Sequence, residues 1–261
     1  MGVVRVDGKH RAGVLILLLV LLAIPGAWGL WTSRASPMPA PALWEPEYEG
    51  LQSPDPEVRA QTVKTMSVTQ DPRAVPVLLH YLGDPDQKVG LYIAQTLGKL
   101  AEEDALATLR LALEDPDPNI RWRAAMALGG QRDALAVPGL TQLLRDPEKL
   151  VQNAAANALT QIGTRQAVYA LAAGLGSAQP STVNNTMNGL QQLGSAAVPT
   201  LISILDSSNA QARRNAVTLL GYIADPRAVP ALQRKATSDP NAEVRTEAQW
   251  ALGEIQKKQP K

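Results

Sequence analysis

The chain has 261 residues with no cysteine and no phenylalanine, and aromatic residues make up only 4% of it. Without cysteine there is no disulfide, no thiolate metal site and no thiol nucleophile. Of the two histidines, His10 lies in a short basic N-terminal stretch, so His80 is the one imidazole left to a folded domain. That scarcity weighs against Ser-His-Asp catalysis and His-rich zinc sites. A core without Phe must be filled by Ala, Leu and Val, which favours closely spaced helices over sandwiches and barrels.

Charge is also scarce in surplus. The net charge is +1, and residues 1–30 hold Arg5, Lys9 and Arg11 against Asp7, which leaves a net of −1 on the remainder. A nucleic-acid-binding domain carries a basic excess, so no nucleic acid partner is expected. Clustered carboxylates, a glycine-rich phosphate loop and metal-ligand spacing are all missing. The chain therefore reads as non-enzymatic, without cofactor or metal.

One segment lacks charge altogether. Between Arg11 and Arg34 stand 22 uncharged residues, and Val14 to Ile24 is almost wholly aliphatic. About 20 apolar helical residues span a hydrocarbon core. With basic residues before the run and Glu45, Glu47 and Glu49 after it, the body is expected on the extracytoplasmic side of a cell membrane, anchored through residues 12–31. A cleaved signal peptide is the other reading, because Pro25-Gly26 breaks the run and Ala27-Trp28-Gly29 places small residues at a cleavage site. Cleavage would leave a periplasmic or secreted body. Residues 1–31 are thus an anchor or signal, 32–52 a Pro-rich semi-rigid linker, and 53–261 the folded domain. Trp44 and Tyr48 in the linker either dock on the first repeat or meet a partner.

What fills the domain is a repeat. Met66, Leu97, Leu128, Leu159, Leu190, Leu220 and Leu252 follow one another at spacings of 31, 31, 31, 31, 30 and 32 residues. A second register of leucines, Leu78, Leu109, Leu140, Leu171, Leu201 and Leu232, runs in step with it. Each unit reads as two helices. The first opens at stretches such as Asp84-Pro85-Asp86 and Asp115-Pro116-Asp117, where Asp caps and Pro suits the first turn. Apolar or small residues at i, i+4, i+5, i+7 and i+8, as in Ile120, Ala124, Ala125, Ala127 and Leu128, form one buried stripe. The second helix opens with sequences such as Asp225-Pro226-Arg227-Ala228-Val229-Pro230. Six pairs over 53–236 and a capping helix near 241–257 give an all-α solenoid in which each unit buries its face on its neighbours.

The pattern D-P-[D/E]-x-x-V-R-x-x-A-x-x-A-L-G followed by D-x-R-A-V-P-x-L stands most fully at Asp115 to Gly129, Asp239 to Gly253 and Asp225 to Leu232. It resembles the HEAT-like repeat of the phycobilisome-lyase type. The resemblance implies a right-handed armadillo-like α-solenoid. It specifies fold far better than function.

A non-enzymatic scaffold binding a protein or peptide is the leading expectation; a bilin lyase or isomerase-like enzyme, with His80 as its only imidazole, is the alternative. The second helices are expected to line the concave face with His80, Gln142, Ser203 and Arg234 in one row and Leu111 and Ala173 completing it. Trp122 and Leu91 share one register position, and with Met126 they form an outward hot spot or pack beneath a neighbouring loop. Arg59, Arg121, Arg213 and Arg245 recur in register as an inter-repeat ladder, the alternative being an anion-binding row. Gln152 and Val183 break that register. Around them Asn153, Asn157, Gln161, Asn184, Asn185, Asn188, Gln191 and Gln192 form an uncharged amide patch, which contacts carbohydrate or peptide or is merely solvated.

Overall fold

Asp55 and Asp117 show how a first helix starts. Each carboxylate accepts from the amide two residues on, Glu57 or Asn119, and the proline that follows it, Pro56 or Pro118, takes the first helical position. A proline costs nothing there because that amide has no intrahelical partner. The computed structural model describes residues 46–100 and 102–258, and all regular structure among these is helical. The expected anchor or signal at 1–31 lies outside the described residues, as do Trp44 and most of the linker. Among the described residues no helix is long and apolar enough to cross a membrane.

The helices fall into two series. First helices are α1 (Pro56–Thr69), α3 (Gln87–Leu100), α5 (Pro118–Gly130), α7 (Lys149–Ile162), α9 (Pro180–Leu193), α11 (Ala210–Ile223) and the terminal α13 (Ala242–Lys258). Second helices are α2 (Ala74–His80), α4 (Glu103–Ala112), α6 (Val137–Leu143), α8 (Arg165–Ala173), α10 (Val198–Ile204) and α12 (Val229–Ser238). Every first helix packs on the next first helix, and every second helix packs on the first helix of the following repeat. A two-layer stack of six pairs and a closing helix results. Before it, Pro46–Gln52 form a 3-10 helix on α1 that buries Tyr48 and Leu51. These residues, assigned to the linker by composition, are part of the packed array.

The two leucine registers are its core. Leu97, Leu128, Leu159, Leu190 and Leu220 are fully buried, as are all six leucines of the second register. A buried leucine contributes about 1.5–3 kcal/mol, and Ala at the flanking positions lets the backbones approach. At Gly129 the approach is closest: a Cβ there would stand 2.7 Å from Ala158 Cα, so only glycine lets α5 lie this near α7.

One expectation is corrected. Pro116 precedes the Asp117 cap, so it lies outside the first turn, and the same holds for Pro85, Pro147 and Pro240. Their preceding aspartates, Asp84, Asp115, Asp146 and Asp239, make a turn of their own by accepting from the amide two residues on at 2.8–3.0 Å. That frees the outer carboxylate oxygen for another repeat.

Candidate functional site

The recurring arginines take that oxygen and share the inner one with the turn amide. Arg59 is bidentate on Asp84 at 2.8 and 3.1 Å, Arg121 on Asp146 at 2.8 and 3.0 Å, and Arg213 on Asp239 at 2.9 and 2.9 Å. Each pair joins one repeat to the next. The remaining guanidinium nitrogen donates to loop carbonyls before its own helix, as from Arg121 to Asp115 and Pro116 at 2.7 and 3.0 Å. Arg245, in the last repeat, keeps among the described residues only these carbonyls, Asp239 and Pro240. Hydrogen bonding to Asp84 and to Asp239 raises Arg59 and Arg213 above the ordinary guanidinium value. Burial pushes the Asp239 carboxyl up, but the Arg213 hydrogen bonds and the Asn241 amide outweigh it, so it lies below its usual value. This row is an inter-repeat ladder, with its donors already committed, and it is not an anion site.

Three repeats have no arginine in this register: Gly90, Gln152 and Val183 stand there. In each, a side chain from the following repeat donates to a loop carbonyl. Arg123 reaches back to Leu82 and Asp84 at 2.7 and 2.8 Å, Thr182 to Leu144 at 2.9 Å, and Asn215 to Leu175 at 2.8 Å. Gln152 itself donates to Asp146 at 2.6 Å. Asp115, which would pair with an arginine at position 90, accepts from the Asp117 amide and forms no ion pair among the described residues; burial pushes its carboxyl up.

Past the ladder, α3, α5 and α7 leave a groove of about 550 Å³. Leu91 comes from α3, Trp122 and Met126 from α5, and Leu150, Asn153, Asn157 and Gln161 from α7. The expected apolar cluster and one end of the amide patch thus meet in a single site. Trp122 does not stand outward as a hot spot would: it is only 5% exposed, held under the groove wall with the Arg123 guanidinium over its ring at 5.3 Å. Its Nε1 is buried and has no acceptor among the described residues. Leu150, by contrast, is 47% exposed. Lys88, at the edge, is paired with Glu57.

The amide patch divides. Asn153, Asn157 and Gln161 on α7 and Asn184, Asn188 and Gln192 on α9 are exposed in two rows with one-turn steps, and no hydrogen bond among the described residues occupies any of their side chains. Gln191 is exposed beside them, Asn185 is half-buried, and Gln152 is buried in the ladder. The sequence carried the signal for both groups; only packing reveals that Leu150 and Lys88 complete the groove.

On the other layer, His80, Leu111, Gln142, Ala173, Ser203 and Arg234 are all exposed, one per second helix or at its end. Pro76, Ala107, Pro138, Tyr169, Pro199 and Pro230, four residues earlier in each case, are exposed too. Ser203 donates to Thr200 at 2.6 Å, and His80 stands edge-on to Tyr81 with centroids 5.1 Å apart. Between α2 and α4 a smaller hollow of about 270 Å³ is lined by Pro72, Val75, Pro76 and Thr108 among others. Among the described residues no group of histidines and carboxylates is placed to hold a metal ion.

A two-layer stack of helix pairs tied by in-register Arg–Asp bridges defines a helical-repeat protein. The chain belongs to the HEAT-repeat family, whose profile matches residues 48–116, 108–188 and 198–261. No curated protein sequence is significantly similar to it. Among solved structures, a Kap121p mutant aligns with a TM-score of 0.53 at 12% identity, over 85% of this chain and 30% of that one. The complex of CpcE and CpcF of phycocyanin lyase from Nostoc sp. PCC7120 aligns with a TM-score of 0.44 at 21% identity, over 85% and 100%. A designed armadillo repeat protein in complex with the peptide (KR)4 aligns with a TM-score of 0.37 at 22% identity, over 69% and 99%.

Proposed function

We propose that the chain is a non-enzymatic interaction scaffold that binds a protein or peptide on its solenoid surface. The carrying observation is that the in-register arginines are spent on holding the repeats together, while a largely apolar groove walled by Leu91, Met126 and the exposed Leu150, with Trp122 packed behind them, stays open between α3, α5 and α7. Interfaces draw their affinity from such desolvated aromatic and aliphatic anchors. The second helices add a long, nearly uncharged face with His80, Gln142, Ser203 and Arg234 on it; in a right-handed solenoid that face is the concave one. Neither surface gathers a nucleophile, a base and an oxyanion donor, as acyl transfer or hydrolysis needs.

The scaffold is held at the extracytoplasmic face of a membrane, or exported past it, by residues 12–31. That part of the proposal rests on the sequence alone. N-terminal sequencing of the mature protein tests it. A chain starting near Leu30 means a cleaved signal, an intact Met1 end resisting alkaline extraction means an anchor, and an intact end in the soluble cytoplasmic fraction overturns both. Binding is tested by cross-linking the full chain in its native cells. A partner is expected whose recovery drops when His80, Gln142, Ser203 and Arg234 are changed together to Ala, or when Leu150 in the groove is changed to Glu. Recovery unaffected by either change would contradict a surface-binding scaffold.

A further inference from the structure

Resting on that reading, we propose that the groove between α3, α5 and α7 takes an extended, uncharged peptide segment. A bulky apolar side chain of the segment sits between Leu91, Met126 and Leu150, above the covered Trp122. Its main chain pairs with the amides of Asn153, Asn157 and Gln161.

Four observations select this occupant. First, the three α7 amides face solvent with no hydrogen bond to any described residue, each presenting a donor and an acceptor together. A docked helix has its main-chain groups satisfied internally and offers them nothing, whereas an extended segment leaves its N–H and C=O groups free. Second, the steps agree. Amides one turn apart on a helix are separated by about 6 Å, and same-side groups of an extended chain recur at roughly 6.6 Å. Third, no unpaired charge lies in the groove, since Lys88 is bound to Glu57. A charged side chain entering it would be desolvated without compensation, so charge is selected against. Fourth, the Trp122 ring is covered, which removes the open platform on which a sugar would stack. A second copy related by a two-fold axis would set groove against groove and fill neither.

The test is selection from a random linear-peptide display library on the full chain. Selected sequences should share one large apolar residue flanked by uncharged residues, with Asp, Glu, Lys and Arg depleted. Their affinity should fall about tenfold or more on Leu150→Glu and several-fold on the double change Asn153→Ala and Asn157→Ala. N-methylation of alternate peptide amides should weaken binding similarly. All three protein positions are exposed, so the variants are expected to fold, and circular dichroism checks it. Three results would overturn the proposal: selected peptides rich in charge or helical when bound, binding indifferent to the groove variants, or self-association abolished by Leu150→Glu. Peptides lost only with the second-helix variant would sink the groove assignment and leave the scaffold reading standing. A failure of cellular cross-linking together with an empty selection would sink both.

Discussion

The Arg123 guanidinium occupies the space that a Cβ on Gly90 would fill. Gly90 stands where the ladder calls for arginine, and Arg123, fully buried, comes from the next repeat to serve the Leu82 and Asp84 carbonyls in its stead. The two residues are one substitution of the ladder made in two places. Thr182 and Asn215 repeat the exchange opposite Gln152 and Val183.

A double-mutant cycle checks this directly. Gly90→Arg alone collides with Arg123 and is expected to destabilise strongly. Arg123→Ala alone leaves buried carbonyls without donors and a cavity, costing about 3 kcal/mol or more. The double variant restores an arginine in register for Asp115 and should recover part of the loss, with a favourable coupling of about 1–3 kcal/mol in urea or thermal unfolding.

The Arg213–Asp239 pair predicts a pH dependence. Asp239 lies below its ordinary value of 3.8 in the folded chain. A depressed carboxyl stabilises the fold above the unfolded value, and that stability is lost as pH falls below about 4. Asp239→Asn should therefore cost about 3 kcal/mol near neutral pH, while its melting temperature declines less steeply than that of the wild type in acid. Asp225, held low by its hydrogen bond from Arg227, supplies part of the slope that remains.

A third prediction concerns the turn after each first helix. The residue twelve positions after the start of the apolar stripe has positive φ at Gln70, Arg132, Gly163, Gly194 and Ala224. Glycine occupies two of these five sites, and the other three bear a left-handed backbone with a side chain. Ala224→Gly is expected to stabilise by about 0.5–1 kcal/mol, since the left-handed penalty of a Cβ exceeds the added freedom of glycine in the unfolded chain. Calorimetry reads it as a rise in melting temperature.

The exposed amides should be dispensable for the fold. Changing Asn153, Asn157, Asn184 and Asn188 to Ser is expected to shift stability by no more than about 0.5 kcal/mol per site. A larger loss in chemical denaturation would make these residues structural and remove the reason for assigning them to a partner.

Much of this was legible in the sequence. The leucine registers marked both helices of every pair, and the recurring arginine tracked the repeat closely enough to be read as a ladder. Replacement of that ladder was not legible, because Arg123 and Asn215 stand two residues after the ladder position of their own repeats and Thr182 one residue before it, and each acts on a loop in another repeat. Trp122 was only half legible. Its spacing joined it to Leu91 and Met126, but its burial depends on Arg123 packing over the ring. The amides of α7 read as a patch, and only the approach of α5 to α7 at Gly129 turns one side of that patch into a groove wall.

The central claim is that the molecule acts by holding a partner on its surface. Site-specific photo-cross-linking in the native cell tests it most directly, with the reactive group placed in the full chain at Leu150 or Asn157 in the groove, at Leu111 or Gln142 on the second helices, and at Gln70 or Arg132 in the turns. The account predicts a discrete protein adduct from groove or second-helix positions and none from the turns. No discrete adduct from any surface position, or equal adducts from the turn controls, would contradict it.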